Sequence, residues 1–301
     1  MRKKSERVDL ILASLVVGAY ASAWVLGWWR WQYSKTATDG LYATSDEVVP
    51  GHRLNVGFNG LVLIGLIAQS AFLIVTTQMD LAQSMFPSGW FVWGNLGAWL
   101  LVAGLVLQLN HRRMHVFGLF VLPVALVFFG LAYFAHRPGP DEQAATPMIW
   151  RWLHAGSLVV GSLAAVVAFS AGVLYMMQSN RLKQKRPSLG SAIPSLEKLQ
   201  LLGERGLLFA TLAVGLGWMS GILMNLVAQA GQPIVVWSHP VVWTASLLFG
   251  WLLAATAFGL LYEPARYGRK VAYLTIATGL FLATELFVVW MTGHGGGGRV
   301  G

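Results

Sequence analysis

The chain has 301 residues, 56% of them hydrophobic and only 11% charged. A soluble globular domain carries roughly 25% charged residues, so an ordinary cytosolic enzyme, a disordered chain and a coiled coil are excluded, and a polytopic membrane protein is expected. The absence of cysteine removes disulfides, thiolate metal sites, iron–sulfur clusters and thiol redox chemistry, and the net charge of +9 sits in loops, where it reports topology rather than nucleic acid binding.

A membrane-crossing helix needs about 20 mainly apolar residues. Eight segments qualify: 10–29, 57–77, 91–109, 116–135, 152–177, 207–228, 241–262 and 271–292. The expected fold is all-α, a bundle of about eight transmembrane helices forming a single membrane domain over 1–301. The first apolar run is too long and bulky for a cleaved signal peptide, and no clear small-residue cleavage site follows it.

Basic loops face the cytoplasm. The connections after spans one, three, five and seven hold 14 of the Lys and Arg residues, among them Arg112, Arg113, Arg181, Lys183, Arg266 and Arg269. The other side holds 7, including the N-terminal Arg2 to Arg7 group, which opposes the majority. The majority places both termini outside. The outer loops are then poor in charge and rich in indole, with Trp90, Trp93, Trp150, Trp152, Trp237, Trp243 and Trp290 in or beside them. Tryptophan prefers the membrane interface, so an aromatic belt accounts for these residues as well as a binding platform does.

Between spans five and six, Pro194, Ser195 and Glu197 form a helix-start signal, and Leu196, Leu199 and Leu202 follow at helical spacing. This pattern predicts a short helix on the inner surface, the alternative being the start of span six itself. Gly217 and Gly221 are a small-xxx-small pair, which predicts close helix packing and no chemistry. The Gly-rich tail after His294 is predicted to be disordered.

The reactive groups are seven histidines and a few intramembrane acids. There is no dinucleotide fingerprint, phosphate loop, nucleophile elbow or His-Glu-x-x-His motif in a supporting context. His154, His239 and His294 fall at three outer span ends, each with a Trp four residues away: Trp150, Trp243 and Trp290. Residues four apart share a helix face. Imidazole suits iron, two imidazoles fill both axial positions of a haem, and a porphyrin needs aromatic and apolar walls. The competing reading of each is a histidine capping a helix in the headgroup layer. His111 and His115 have metal-binding spacing, but Arg112 and Arg113 between them repel a cation. His52 and His136 lie in loops. Glu285 lies inside span eight and is expected to face the bundle, with Gln69 and Asn59 as candidate partners, whereas Asp9 sits at the hydrated edge of span one.

The segment Trp152-Leu153-His154, the run Ala168 to Gln178 ending in Arg181-Leu182-Lys183, the stretch Ile193 to Leu199, and Pro240 to Tyr273 with Trp251 together resemble the cytochrome c assembly family (CcsA/CcmC/HemX-like). The HemX-like branch is the most similar. The resemblance covers 91–294, with 1–90 poorly matched, and rests on the ordered set rather than on any single motif. It implies a helical bundle in the cell inner (cytoplasmic) membrane that binds haem b and presents it at the outer face to apocytochrome c, beside a membrane partner subunit of the synthesis system. It implies that His154 and His294 are the axial ligands of the haem iron. Trp237, His239 and Trp243 correspond to a tryptophan-rich segment between them, in which His239 stands where the family has Asp. That departure favours haem binding over ligation. Trp237 and Trp243 would be the porphyrin platform, and His239 would contact a propionate or replace a ligand. Gln69 lies near the place of an inner haem ligand in some members, which weighs against an inner haem here. A haem-modifying oxidase similar to haem A synthase is the second reading. It requires histidine pairs in two repeated halves, and the sequence displays no repeat. A HemX-like regulator of tetrapyrrole synthesis is the third.

Overall fold

Hydrophobic runs of this length in lipid must satisfy every backbone N–H and C=O internally, and the α-helix does so within one segment. The computed structural model describes residues 2–39, 49–81, 90–108, 115–134, 148–184, 194–227, 235–262 and 269–292. Among these, eight α-helices and one 3-10 turn are the regular elements, and there is no strand. The helices are α1 (Arg2–Asp39), α2 (Val49–Leu81), α3 (Trp90–Gln108), α4 (Gly118–Phe134, preceded by the 3-10 turn His115–Phe117), α5 (Met148–Lys183), α6 (Leu196–Val227), α7 (Pro240–Leu261) and α8 (Arg269–Thr292). Seven of them are long and apolar enough to cross a membrane, and α4 is a shorter apolar helix. The chain is a multi-pass membrane protein.

Several helices run past their apolar cores. At 1.5 Å per residue, the 36 residues of α5 extend about 54 Å, well beyond the ~30 Å of bilayer hydrocarbon. The expected surface helix after Pro194 does not exist as a separate element. Ser195 caps the start of one continuous α6, its Oγ accepting from the Lys198 N–H at 3.4 Å. Leu199 is buried, so the leucine repeat packs inward against the bundle rather than lying on lipid.

The helices are arranged as two four-helix rings. Within the first, α1 packs on α2, α2 on α3, α3 on α4 and α4 back on α1; α5 to α8 repeat the same order of contacts. The sequence displayed no repeat because the equivalence is one of packing order, not of residues. Contact between the rings runs mainly through α3 and α4 against α5, and is slight beside the contact within each ring.

The α5–α6 pair is the most extensive interface. Its residues explain why. A Cβ added to Gly206 would lie 2.9 Å from Ala168 Cβ and 3.1 Å from Ala164 O, and one added to Gly161 would lie 2.9 Å from the Val214 N. Only glycine admits such an approach of backbone to backbone. Lipid tails are as apolar as leucine, so helices in a membrane associate through packing of this kind and through interhelical hydrogen bonds. The bonds are present in both rings. In the first, the buried Tyr20 hydroxyl donates to Gln69 Oε1 at 2.7 Å, Gln69 Nε2 donates to the Asn95 carbonyl at 3.1 Å, and Trp99 Nε1 donates to Ser70 Oγ at 2.8 Å. Gln69 is therefore the polar hub of this ring and not a partner of Glu285. In the second, Trp218 Nε1 donates to Ser246 Oγ at 2.9 Å and Trp251 Nε1 to Thr278 Oγ1 at 3.0 Å. Asp9, expected at a hydrated edge, is buried.

The seam makes a sharp distinction between glycines. Gly206→Ala forces backbone apart and is expected to destabilise the protein by about 1–3 kcal/mol, the range for overpacking. Gly250→Ala, where nothing lies within 4 Å of an added Cβ, is expected to be neutral or slightly stabilising. Thermal unfolding of both variants in one detergent checks this; equal melting temperatures would contradict the seam.

Candidate functional site

Helix alternation gathers one end of each second-ring helix onto the same side. The start of α5, the end of α6, the start of α7 and the end of α8 meet there, and cross-links fix the arrangement. Thr244 in the first turn of α7 is hydrogen-bonded through its side chain to Glu285 near the end of α8. At the opposite end, Arg269 at the start of α8 donates from Nε to Ser179 Oγ at 3.1 Å and from Nη2 to Asn180 Oδ1 at 2.5 Å, near the end of α5. His154, Trp237, His239 and Trp243 are therefore brought to one end of one ring. His294 lies two residues beyond α8, outside the described residues, as do His111 and His136, and nothing is described of the side chains of His52 and His115.

His154 is seated on α6. Its Nδ1 lies 2.8 Å from the carbonyl oxygen of Gly217. A Cβ added to Gly221 would lie 2.9 Å from the ring Cε1 and 3.0 Å from Nδ1. A helical carbonyl is normally screened by the side chain one turn on. Here that residue is Gly221, and the missing Cβ leaves the Gly217 oxygen open to a side chain from α5. The Ser220 hydroxyl donates to the same oxygen at 2.9 Å. The glycine pair expected only to pack is thus the bed of the imidazole.

This contact has a chemical consequence. A carbonyl oxygen accepts and cannot donate, so Nδ1 carries the proton of the hydrogen bond. In the neutral ring the other nitrogen, Nε2, then holds the free lone pair. A histidine held through one nitrogen by a backbone carbonyl, with the other available, has the arrangement that orients metal-ligating histidines.

The loop before α7 is held by a residue the sequence reading did not single out. Asn225, near the end of α6, donates from Nδ2 to the Val235 carbonyl at 2.9 Å and accepts from the Val235 N–H at Oδ1 at 3.0 Å. One side chain so replaces a strand rung and fixes the segment leading to Trp237. The signal was an Asn in an otherwise apolar helix end. His239 then caps α7: its φ of −63° and ψ of 135° are extended, Pro240 follows at the first helical position, and Nδ1 accepts from the Val241 N–H at 3.3 Å. Acceptance at Nδ1 leaves the proton of the neutral ring on Nε2, the opposite tautomer to His154. The structure thus gives His239 the capping role that was its competing reading. Trp237 and Trp243 are 46% and 63% exposed and project from the bundle.

Glu285 does face the bundle, but its partner is Thr244 rather than Gln69 or Asn59. Its Oε2 is buried without a hydrogen-bond partner among the described residues. No group of three or more His, Asp or Glu able to hold a bare metal ion occurs among the described residues. No protein-family model, curated protein or solved structure matches the chain.

The tautomer assignment is directly observable. In protein labelled with 15N-histidine, the signal lost in His154→Ala is expected to be that of a ring protonated at Nδ1, and Gly221→Ala is expected to shift it. A ring protonated at Nε2 would contradict the Gly217 contact.

Proposed function

We propose that this chain is a haem-handling membrane protein of cytochrome c biogenesis, similar to the cytochrome c assembly family, holding haem b at the histidine end of its second ring. The supporting observation is the His154–Gly217 hydrogen bond, which fixes the imidazole by one nitrogen and leaves Nε2 as an electron-pair donor. His154 would supply one axial ligand and His294 the other. Trp237 and Trp243, exposed at the same end, would give the macrocycle indole faces to lie against. Such a site would be lateral, walled partly by lipid, with haem sitting at the bundle surface. Bound haem would supply the iron-porphyrin group to be delivered, while this chain's residues orient it and shield it from water. The chain has no cysteine, so the thioether bonds of a c-type cytochrome would form only on the client apocytochrome c. The 14-to-7 division of basic residues supports placing the histidine end outside the cell inner membrane.

His239 would serve this site less as a ligand than as the cap that sets the direction of α7. Its capping bond occupies Nδ1, and a propionate contact would fall to Nε2.

One observation favours the second reading, a haem-modifying oxidase similar to haem A synthase: the repeated order of packing in the two rings. That chemistry needs histidine pairs at matched positions in the two halves, and His52, His111, His115 and His136 around the first ring do not repeat the sequence spacing of His154, His239 and His294. The carrier reading is therefore preferred. Mass analysis of the extracted porphyrin separates them: unmodified haem b supports the carrier, a modified ring the oxidase. A soluble tetrapyrrole-synthesis enzyme captured as partner, in place of a membrane subunit, would support regulation.

The decisive experiment is the absorption spectrum of the protein purified in mild detergent, with haem added where none co-purifies. A Soret band is expected. His154→Ala and His294→Ala are each expected to weaken it several-fold, and His111→Ala to leave it unchanged. A missing band, or a band indifferent to both outer variants, would end this reading.

A further inference from the structure

At the end of the molecule opposite His154, a cleft of about 80 Å³ lies between α1, α4 and α5. Trp24, Trp28 and Trp31 share one face of α1 and form a wall; Leu119 and Phe120 of α4 and Met177 of α5 complete it. Trp31 is buried, but Trp24 and Trp28 are 37% and 45% exposed, so the cleft opens on the lipid-facing side. The indole of Trp24 is anchored, its Nε1 donating to the Leu119 carbonyl at 3.1 Å. The wall is thus a built surface with its polar atom already satisfied. The cleft is far smaller than the ~300 Å³ at which sites for bulky ligands begin. A tetrapyrrole does not fit; a stretch of a single flexible hydrocarbon chain does.

Arg181 stands one helical turn beyond Met177, on the same face of α5. Long side chains on a helix lean back over the preceding turn, which carries the guanidinium towards the rim of the cleft. Its Nη1 is buried and has no hydrogen-bond partner among the described residues. Arginine stays charged and offers five N–H donors. A charged donor left unsatisfied is costly, and an oxyanion is the group that relieves it. An apolar cleft with an unsatisfied cation at its rim matches an amphiphile with an anionic head.

We propose that this cleft binds an anionic phospholipid, one acyl chain lying against Trp24, Trp28 and Met177 and the headgroup phosphate accepting from Arg181. The site falls where α4 of the first ring meets α5 of the second, the slight seam of the fold. The lipid fills that seam and joins the two rings. Arginine suits the role because its planar fork matches phosphate oxygens, and basic pockets between spanning helices are known to hold such headgroups.

The test uses the full-length protein in nanodiscs and its tryptophan fluorescence. Brominated phosphatidylglycerol is expected to quench more than brominated phosphatidylcholine at equal mole fraction. Arg181→Gln is expected to abolish that excess, and Met177→Phe, which fills the cleft and keeps the guanidinium, to reduce quenching by both lipids. Inorganic phosphate is expected to leave the excess intact. Equal quenching by the two lipids, an excess that survives Arg181→Gln, or an excess erased by inorganic phosphate, which would make Arg181 a site for the free anion, would each overturn the proposal.

Discussion

The closeness of α5 to α6 is the constraint on which the rest depends. Helices normally keep 8–10 Å apart because side chains intervene. Along this seam Gly161, Gly206, Gly217 and Gly221 remove them, and the backbones meet. Two things follow from the same geometry. The pair becomes the stiff core of the second ring, and a carbonyl inside a continuous helix becomes reachable by a side chain from its neighbour. His154 uses that carbonyl. A larger residue at 221 would both separate the helices and displace the imidazole, so packing and site chemistry cannot be altered independently there.

The two rings share an order of packing but differ in how they spend polar groups. The first buries Tyr20, Gln69 and Asn95 together, deep among apolar neighbours, with Asn95 Oδ1 left without a hydrogen-bond partner among the described residues. Such a set specifies register. The second ring distributes its polar contacts along its length: Arg269 with Ser179 and Asn180 at one end, Trp251 with Thr278 in the middle, and Glu285 with Thr244 and His154 with Gly217 towards the other. This graded placement holds α5 to α8 antiparallel and in register, so that the loop pinned by Asn225 sits beside the start of α5. On the proposed function, the second ring would carry the site and the first would support it.

Helix number and type were legible because lipid leaves hydrophobic runs no other regular solution. The ends were not: the tails of α1, α2 and α5 are polar, and hydropathy does not register helix that has left the apolar layer. The leucine repeat from Leu196 left a surface helix and the start of span six both open for a related reason, and the structure has the second. An amphipathic stretch looks alike whether its apolar stripe meets lipid or protein, and only the burial of Leu199 decides. In the site, the histidines were visible as residue types, and the shared end of His154 and His239 followed from alternation. Their roles were not visible. Whether a ring nitrogen donates or accepts depends on the group opposite it, here a backbone carbonyl of α6 for one and the Val241 N–H for the other. Gly217 and Gly221 were noticed for spacing alone, because sequence does not say what enters the space a glycine leaves.

The central proposal is that His154 and His294 would together hold the iron of one haem. Electron paramagnetic resonance of the oxidised, haem-loaded protein addresses it most directly. Two neutral imidazoles give a low-spin ferric signal, and that signal is predicted for the intact chain, with conversion to high spin when either histidine is replaced by alanine. A high-spin signal from the intact protein, or a low-spin signal that persists without His154, would contradict the account.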